Sequence, residues 1–446
     1  MLNIRIKVIQ GDQIGGCITE ISSGDTRIIF DYGNNLDDTP QISISGLTYG
    51  KPKYCAVFIS HYHLDHIGSI NNILPDIPVY IEETTKKMYD VICDFSNKPK
   101  VNAITFKFGD IIDNSKWQLK VKSYRVDHSA YNSSMFLVTD DKEKALYTGD
   151  YRDNGYTGDK LMDTLNEIGT VDYLITEGTN IGNNSHIIRK EESLADDFAE
   201  IFKQYKQVFV MMSSSNIDRI TTLLKACNKT KHIMIQDLYM AHLTSLINKE
   251  DKKNIPNPVT YNNVMIYKPK YFKNKNEEFK DKYYNAFNNK NNCNMLYKPF
   301  VMNIRTSMIE DLETFAFKKN ILTNACLVYS MWGGYRKRED IKAFIKKTET
   351  LGIKTIEKDI HTSGHASVEL IEKVKKITNP MHCYAIHTEK EGEMDILDLY
   401  KKNKTIQRNY FNGKNLKEVL VDIEKAILPL NYAFRTELRI STRKKN

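Results

Sequence analysis

No stretch of about twenty apolar residues occurs in this sequence, so no transmembrane helix is expected. The mean hydropathy of −0.48 agrees. The start, MLNIRIKVIQGDQ, has neither an apolar core segment nor a small-residue cleavage site, so no signal peptide is expected. CxxC pairs are lacking too. The seven cysteines stand at 17, 55, 93, 227, 293, 326 and 383, odd in number and widely spaced. That excludes a disulfide framework and a zinc ribbon and points to a reducing, cytoplasmic setting, with most cysteines acting as small core residues. There is no internal repeat and no KH pattern. What remains is a chain of 446 residues, 41% hydrophobic, which suits two or three packed units. Its net charge of +8 permits an anionic partner such as nucleic acid. The richness in Lys, Asn, Tyr and Ile also fits an AT-rich genome, so charge alone decides little.

The first 60 residues read as strands: IRIKVIQG, GCITEISS, TRIIFDYG and YCAVFIS are β-branched runs separated by turn residues. A helix over TTKKMYDVICDF follows, then strands WQLKVKSYRVD, SSMFLVTD, KALYTGD and VDYLITEG. Beyond about residue 180, helical and strand patterns alternate, as in EESLADDFAEIFKQY, QVFVMMSS and SNIDRITTLLKAC, which predicts a second α/β unit. The Lys- and Asn-rich stretch 250–300 reads as a loop and a polar helix or exposed excursion. A helix at EDIKAFIKKTETLG, a strand at KTIEKDI, a helix at VELIEKVKKI and a strand at MHCYAIH close the pattern, followed by a basic tail, RTELRISTRKKN.

The chemistry concentrates in VFISHYHLDHIGSI, where His61, His63, Asp65 and His66 fall within six positions after an apolar run. Neutral imidazole and carboxylate suit zinc and similar borderline metals. Four ligands so close in sequence do not converge comfortably on one ion, which implies two ions and further ligands from elsewhere. His128, Asp150 and His387 each close a short apolar run, as ligands on one edge of a sheet must, and Asp150 could serve both ions. Two metals about 3.5–4 Å apart can clamp a phosphodiester.

With these motifs the sequence resembles the metallo-β-lactamase-fold hydrolases, and within them the β-CASP nucleases of ribonuclease J type. HYHLDH stands for the family's HxHxDH, and around it GCITEI, RIIFDYG with Asp31, DHSAYNSS and YTGDYR fall in the order that the superfamily uses. LITEGTN with Glu177, HTSGHAS with His365 and AIHTE with His387 resemble the three additional β-CASP motifs. SSSNIDRI, IRTSMIEDL and YSMWGGY resemble segments of the insertion. The resemblance spans roughly residues 5–400. It implies an αββα metallo-β-lactamase sandwich with an inserted β-CASP α/β domain. The expected division is 1–180 for the first part of the sandwich, 181–345 for the insertion, and 346–446 for the return segment and basic tail. It implies that His61, His63 and His128 hold one Zn2+, with Asp65, His66 and His387 holding the other, Asp150 bridging, and Mn2+ as the alternative metal. His365 is expected to protonate the leaving oxygen and Glu177 to orient it. His361 is expected to be a supporting residue, and His186, His232, His242 and His382 to be structural.

The resemblance implies a ribonuclease acting on single-stranded RNA, 5′-to-3′ and favouring a 5′-monophosphate, with endonuclease action and homodimer formation left open. Phosphate contacts are expected from Ser363, Ser367, Ser214, Ser215, Asn216, Arg219, Arg305 and Ser307. The serines suit helix capping equally well. YKPKYF at 267–272 mixes basic and aromatic residues, though a plain solvated surface explains it better. Only 59 residues follow His387, so no full ribonuclease J C-terminal domain is expected. The competing readings are a single-strand DNA nuclease of the same fold, a small-molecule metallo-hydrolase and an inactive RNA-binding relative. His387 favours RNA, the long insertion disfavours a small substrate, and the full ligand set disfavours inactivity.

Overall fold

The computed structural model describes residues 4–388 except 38, 182–187, 252–254, 271–294 and 319. The expectations for His186, Cys293, the basic tail and most of the Lys-rich stretch, including Tyr271 and Phe272, lie outside the described residues. No described helix is long and apolar enough to cross a membrane, and no described cysteine is in a disulfide.

The first sheet holds β1 (Arg5–Gln10), β2 (Ile18–Ser23), β3 (Thr26–Phe30), β4 (Ala56–Ile59), β5 (Val79–Glu82) and β6 (Ile104–Phe106) in sequence order. It is antiparallel through β3 and parallel from β3 to β6. Successive residues alternate faces. In β4, Ala56 and Phe58 point inward to a second sheet, and Val57 and Ile59 outward toward helices. The second sheet contains β7 (Ile111–Ile112), β8 (Lys120–Val126), β9 (Ser133–Thr139), β10 (Lys144–Tyr147) and β11 (Tyr173–Glu177). Phe30, Phe58, Phe136 and Tyr147 meet between the sheets, with Phe30 5.5 Å from Phe136 and 5.1 Å from Tyr147 between ring centroids.

Helix α1 (Leu64–Ile67) is a single turn, and α2 (Glu83–Ser96) packs on the outer face of the first sheet. Helix α3 (Leu161–Ile168) packs on the outer face of the second. The result is helix, sheet, sheet, helix: the αββα metallo-β-lactamase sandwich.

The insertion carries a third, wholly parallel sheet of β12 (Gln207–Met211), β13 (Ile233–Asp237), β14 (Val264–Tyr267), β15 (Phe300–Ile304), β16 (Ala325–Tyr329) and β17 (Lys354–Ile356), in the order β14-β13-β15-β12-β16-β17. Both faces are covered, as a parallel sheet requires. Helices α4 (Leu194–Phe202), α5 (Ile217–Thr230) and α6 (Leu238–Asp251) share a core with the first sheet and α2. Helices α7 (Ile309–Glu313) and α8 (Glu339–Thr350) cover the other face. The boundary expected at residue 345 needs correction. Lys354–Ile356 pairs with β16, so the chain leaves this sheet only after Ile356. It then forms α9 (Val368–Thr378) over the second sheet and β18 (His382–Ile386), which pairs parallel with β11.

Candidate metal centre

The sandwich gathers its ligand-type residues at strand ends. His61 and His63 follow β4, and α1 supplies Asp65 and His66. His128 follows β8, Asp150 follows β10, Glu177 ends β11 and His387 follows β18. His365 comes from the loop before α9. Asp31 and His387 have φ of 60° and 55°, a region non-glycine residues rarely adopt, and both are next to strand ends at this centre.

Ligand-type atoms of His61, His63 and His128 lie within 4.8 Å of one another. Asp65 Oδ2 is 3.3 Å from His387 Nε2 and 4.0 Å from His66 Nε2. Asp150 Oδ2 lies between the two groups, 3.2 Å from His66 Nε2 and 3.9 Å from both His61 Nε2 and His128 Nε2. His61 Nε2, His66 Nε2 and both Asp150 carboxylate oxygens are buried, and among the described residues none of them has a partner in well-formed hydrogen-bond geometry. Only imidazole nitrogens approach the Asp150 carboxylate, His66 nearest, and a carboxylate buried so costs several kcal/mol, roughly, unless cationic charge compensates it. This donor set therefore fits metal ions, and the residues could hold them.

Burial drives the His61 and His128 imidazoles well below their usual range and pushes His63 down to about 4. These rings are neutral, the form that ligates. Burial alone would raise Asp65 and Asp150, but the surrounding imidazoles hold both well below the carboxylate range. Burial also works against a charged His66, yet Asp150 and Asp31 outweigh it and raise this ring well above its usual value. A proton there answers the same negative potential that would attract a cation, so metal binding should release protons.

The supporting role of Asp31 was not legible in the sequence. It accepts hydrogen bonds from Ser60 N, Ser60 Oγ and Tyr147 OH, each at 2.7 Å, and faces His66 Nδ1 at 2.8 Å. It thus fixes the His66 tautomer so that Nε2 points to the centre. Asp31→Asn is expected to weaken metal affinity about 10–100-fold, read by competition with a chromophoric chelator. Thr179 was missed as well. Its hydroxyl lies 2.7 Å from His387 Nδ1 and 3.2 Å from His365 Nδ1. So was Cys17, whose sulfur is within 4.8 Å of ligand-type atoms on His66 and His387.

Glu177 is fully buried. It accepts from Ala366 N at 2.7 Å and Thr179 N at 3.1 Å, and its Oε1 lies 3.6 Å from His365 Nδ1. Burial opposes charge on His365, but Glu177 and Asp150 together push it up to about 9. Arg152 and Asn154 both donate to Ser363 O, at 3.3 and 3.1 Å, and so hold this loop. His361 lies within electrostatic reach of Glu191, outside the cluster. His232 bonds Thr230 and Tyr205, His242 faces Phe95, and His382 stacks on Tyr173; none joins the centre.

The expected phosphate contacts separate. Ser363 and Ser367 flank His365, with Ser367 capping α9 by accepting from Leu370 N at 3.1 Å. Asn216 caps α5, accepting from Arg219 N at 3.0 Å. Ser214 Oγ accepts from Asn303 Nδ2 at 2.7 Å and Arg305 Nη1 at 3.0 Å, while Arg305 also pairs with Asp237. Ser215 O receives a 3.0 Å bond from Tyr62 OH, tying this loop to the histidine loop, and Ser307 is exposed. The expectation for Arg219 is corrected. Its guanidinium is buried and bidentate on Glu191 at 2.5 and 3.1 Å, and it also bonds Ser330, so its donors are used inside the fold. Glu191→Ala, which strands that charge, is expected to destabilise the protein by about 3–5 kcal/mol in denaturant titration.

Fold and site together define a metallo-β-lactamase-fold protein with a β-CASP-type insertion. Within that class the chain resembles nucleases of ribonuclease J type. It is 25% identical over 293 residues to RNase aCSPSF2 of Saccharolobus solfataricus, covering 59% of this chain and 51% of that protein. It is 24% identical to ribonuclease J of Mycoplasma genitalium (50% of this chain, 42% of that one) and 26% identical to ribonuclease J of Pyrococcus abyssi (40% and 42%). The matched segments thus span about half the length of these relatives or less. Among solved structures, a protein of unknown function from Enterococcus faecalis V583 superposes with a TM-score of 0.65 at 18% identity, covering 87% of this chain and 95% of that one. No protein-family profile matches.

Proposed function

We propose that the protein is a two-zinc ribonuclease that hydrolyses phosphodiester bonds of single-stranded RNA, in the 5′-to-3′ direction. The observation carrying this reading is the set of buried atoms on His61, His66 and Asp150 without a well-formed hydrogen bond among the described residues, flanked by an acid–imidazole pair, Glu177 and His365. The ribonuclease names of the relatives support RNA as the substrate. His61, His63 and His128 would hold one ion and Asp65, His66 and His387 the other, with Asp150 between them. Bound zinc, or manganese in its place, would supply charge compensation at the phosphate and activation of water.

The chain's own groups do the rest. His365 delivers a proton from its ring to the leaving oxygen, and Glu177 keeps that ring protonated and aimed. Ser363, Ser367 and the N-terminal amides of α9 receive a 5′-terminal phosphate, where helix-end N–H groups favour an anion. Ser214 and Arg305 line the path of the backbone. Time courses with RNA labelled at either end and carrying 5′-phosphate, triphosphate or hydroxyl test this. Mononucleotide should leave first from the 5′ label, fastest with monophosphate, and chelation should stop it. Equal cutting of matched single-stranded DNA would move the assignment to a DNA nuclease.

A further inference from the structure

The loop after β16 has no part in the centre as described so far, yet it is placed beside it. Strands β12 and β16 are in register, with Met211 opposite Tyr329. The loops leaving both therefore emerge together at the carboxyl edge of a parallel sheet, where open α/β sheets bind ligands. Ser330 N donates to Met211 O at 2.9 Å, holding the two loops together. The β12 loop in turn accepts the Tyr62 hydroxyl, so this edge faces the histidine loop.

Trp332 and Tyr335 project from the β16 loop. They are 49% and 38% exposed, high values for large aromatic side chains. Their rings stand perpendicular with centroids 5.3 Å apart. The loop is shaped for this display. Tyr329 OH donates to Trp332 O at 3.0 Å, and the indole lies so close over Gly334 that an added Cβ would come within 2.2 Å of it. Tyr335 is within electrostatic reach of the Asp65 carboxylate. Leu64, which precedes Asp65 in α1, is 41% exposed.

We infer that Trp332 and Tyr335 form a stacking platform for a nucleobase of single-stranded RNA next to the scissile phosphate. The inference rests on the ribonuclease reading and adds a base contact to it. An aromatic face accepts every base, so the platform fixes the strand without selecting sequence. The perpendicular rings offer two walls, and Gly334, having no Cβ, lets the indole lie close over the backbone.

The protein has two tryptophans. Trp117 lies away from this site, against Tyr80. In a Trp117→Phe background the emission therefore reports Trp332 alone. The zinc-loaded full chain is titrated with a fluorophore-labelled phosphorothioate RNA octamer and with the same sugar–phosphate octamer lacking bases. Binding is followed separately by anisotropy. RNA should quench Trp332 and the abasic octamer should not. Trp332→Ala and Tyr335→Ala should each weaken binding about tenfold for RNA and little for the abasic strand. Trp332→Phe should restore most of the affinity. Binding without quenching, equal quenching by both octamers, or unchanged affinity in both alanine variants overturns the platform and leaves the nuclease reading standing. Absence of both RNA binding and RNA cleavage overturns both.

Discussion

Replacing Asp65 and His66 together with alanine is expected to lower kcat/KM on RNA roughly a thousandfold or more, because Lewis-acid stabilisation is worth several kcal/mol at the transition state. The two side chains come from one helical turn, and their ligand atoms lie 4.0 Å apart. Their loss leaves His387 as the sole member of that trio. Asp150 Oδ2 also loses its nearest imidazole, at 3.2 Å. The fold should survive, since Asp31 retains Ser60 N, Ser60 Oγ and Tyr147 OH as donors. Elemental analysis should report about one metal fewer per chain, while the circular dichroism spectrum stays that of the parent. Retained cleavage with a lost metal would sink the two-ion reading. Retained cleavage with both metals present would mean the ligand assignment is wrong.

How far these residues were readable in advance depended on whether a role was local. Strand-end residues of ligand type were legible because a β-branched run followed by histidine or aspartate is a short-range signal. The strands containing Ile29, Phe58 and Val138 were legible as short apolar, β-branched runs between turn residues, which is again a local signal. The unit β13–α6 was not. Asp237 ends the strand and Leu238 begins the helix with no glycine or proline between them. The break is made instead by Asp237 Oδ1 accepting from Met240 N at 2.7 Å. The order of the third sheet was equally hidden, since β12 lies between β15 and β16, both much later in the chain.

Charged residues show the limit most plainly. Arg219 and Arg305 look alike as phosphate ligands in sequence. Their fates are set by Glu191 and Asp237, acids 28 and 68 positions away. Burial leaves Arg219 fully committed, while the Arg305 side chain stays 25% exposed. In the sequence Asp31 stands out only as part of a motif. Its function depends on Ser60, His66 and Tyr147 meeting around it, which no spacing rule encodes.

The other large effect concerns the acid. His365→Ala is expected to lower kcat about 10²–10⁴-fold, the usual range for a general acid, with a smaller change in KM. The pH profile distinguishes proton donation from mere support of the loop. A general acid must be protonated, so kcat falls as pH rises through its pKa. Burial alone would put the fall at low pH, but Glu177 and Asp150 push His365 up to about 9. Bound cations pull the value down again by their own charge, so the alkaline limb of the metal-loaded enzyme should lie below that figure. Glu177→Gln removes one negative charge 3.6 Å from the ring and lets its amide oxygen still accept from Ala366 N. Its alkaline limb should therefore move to lower pH, with kcat near neutrality reduced in proportion to the protonated fraction lost. In His365→Ala the limb should disappear. A Gln variant whose profile keeps its shape, scaled down uniformly, would mean that Glu177 only shapes the turn and that the proton comes from another group.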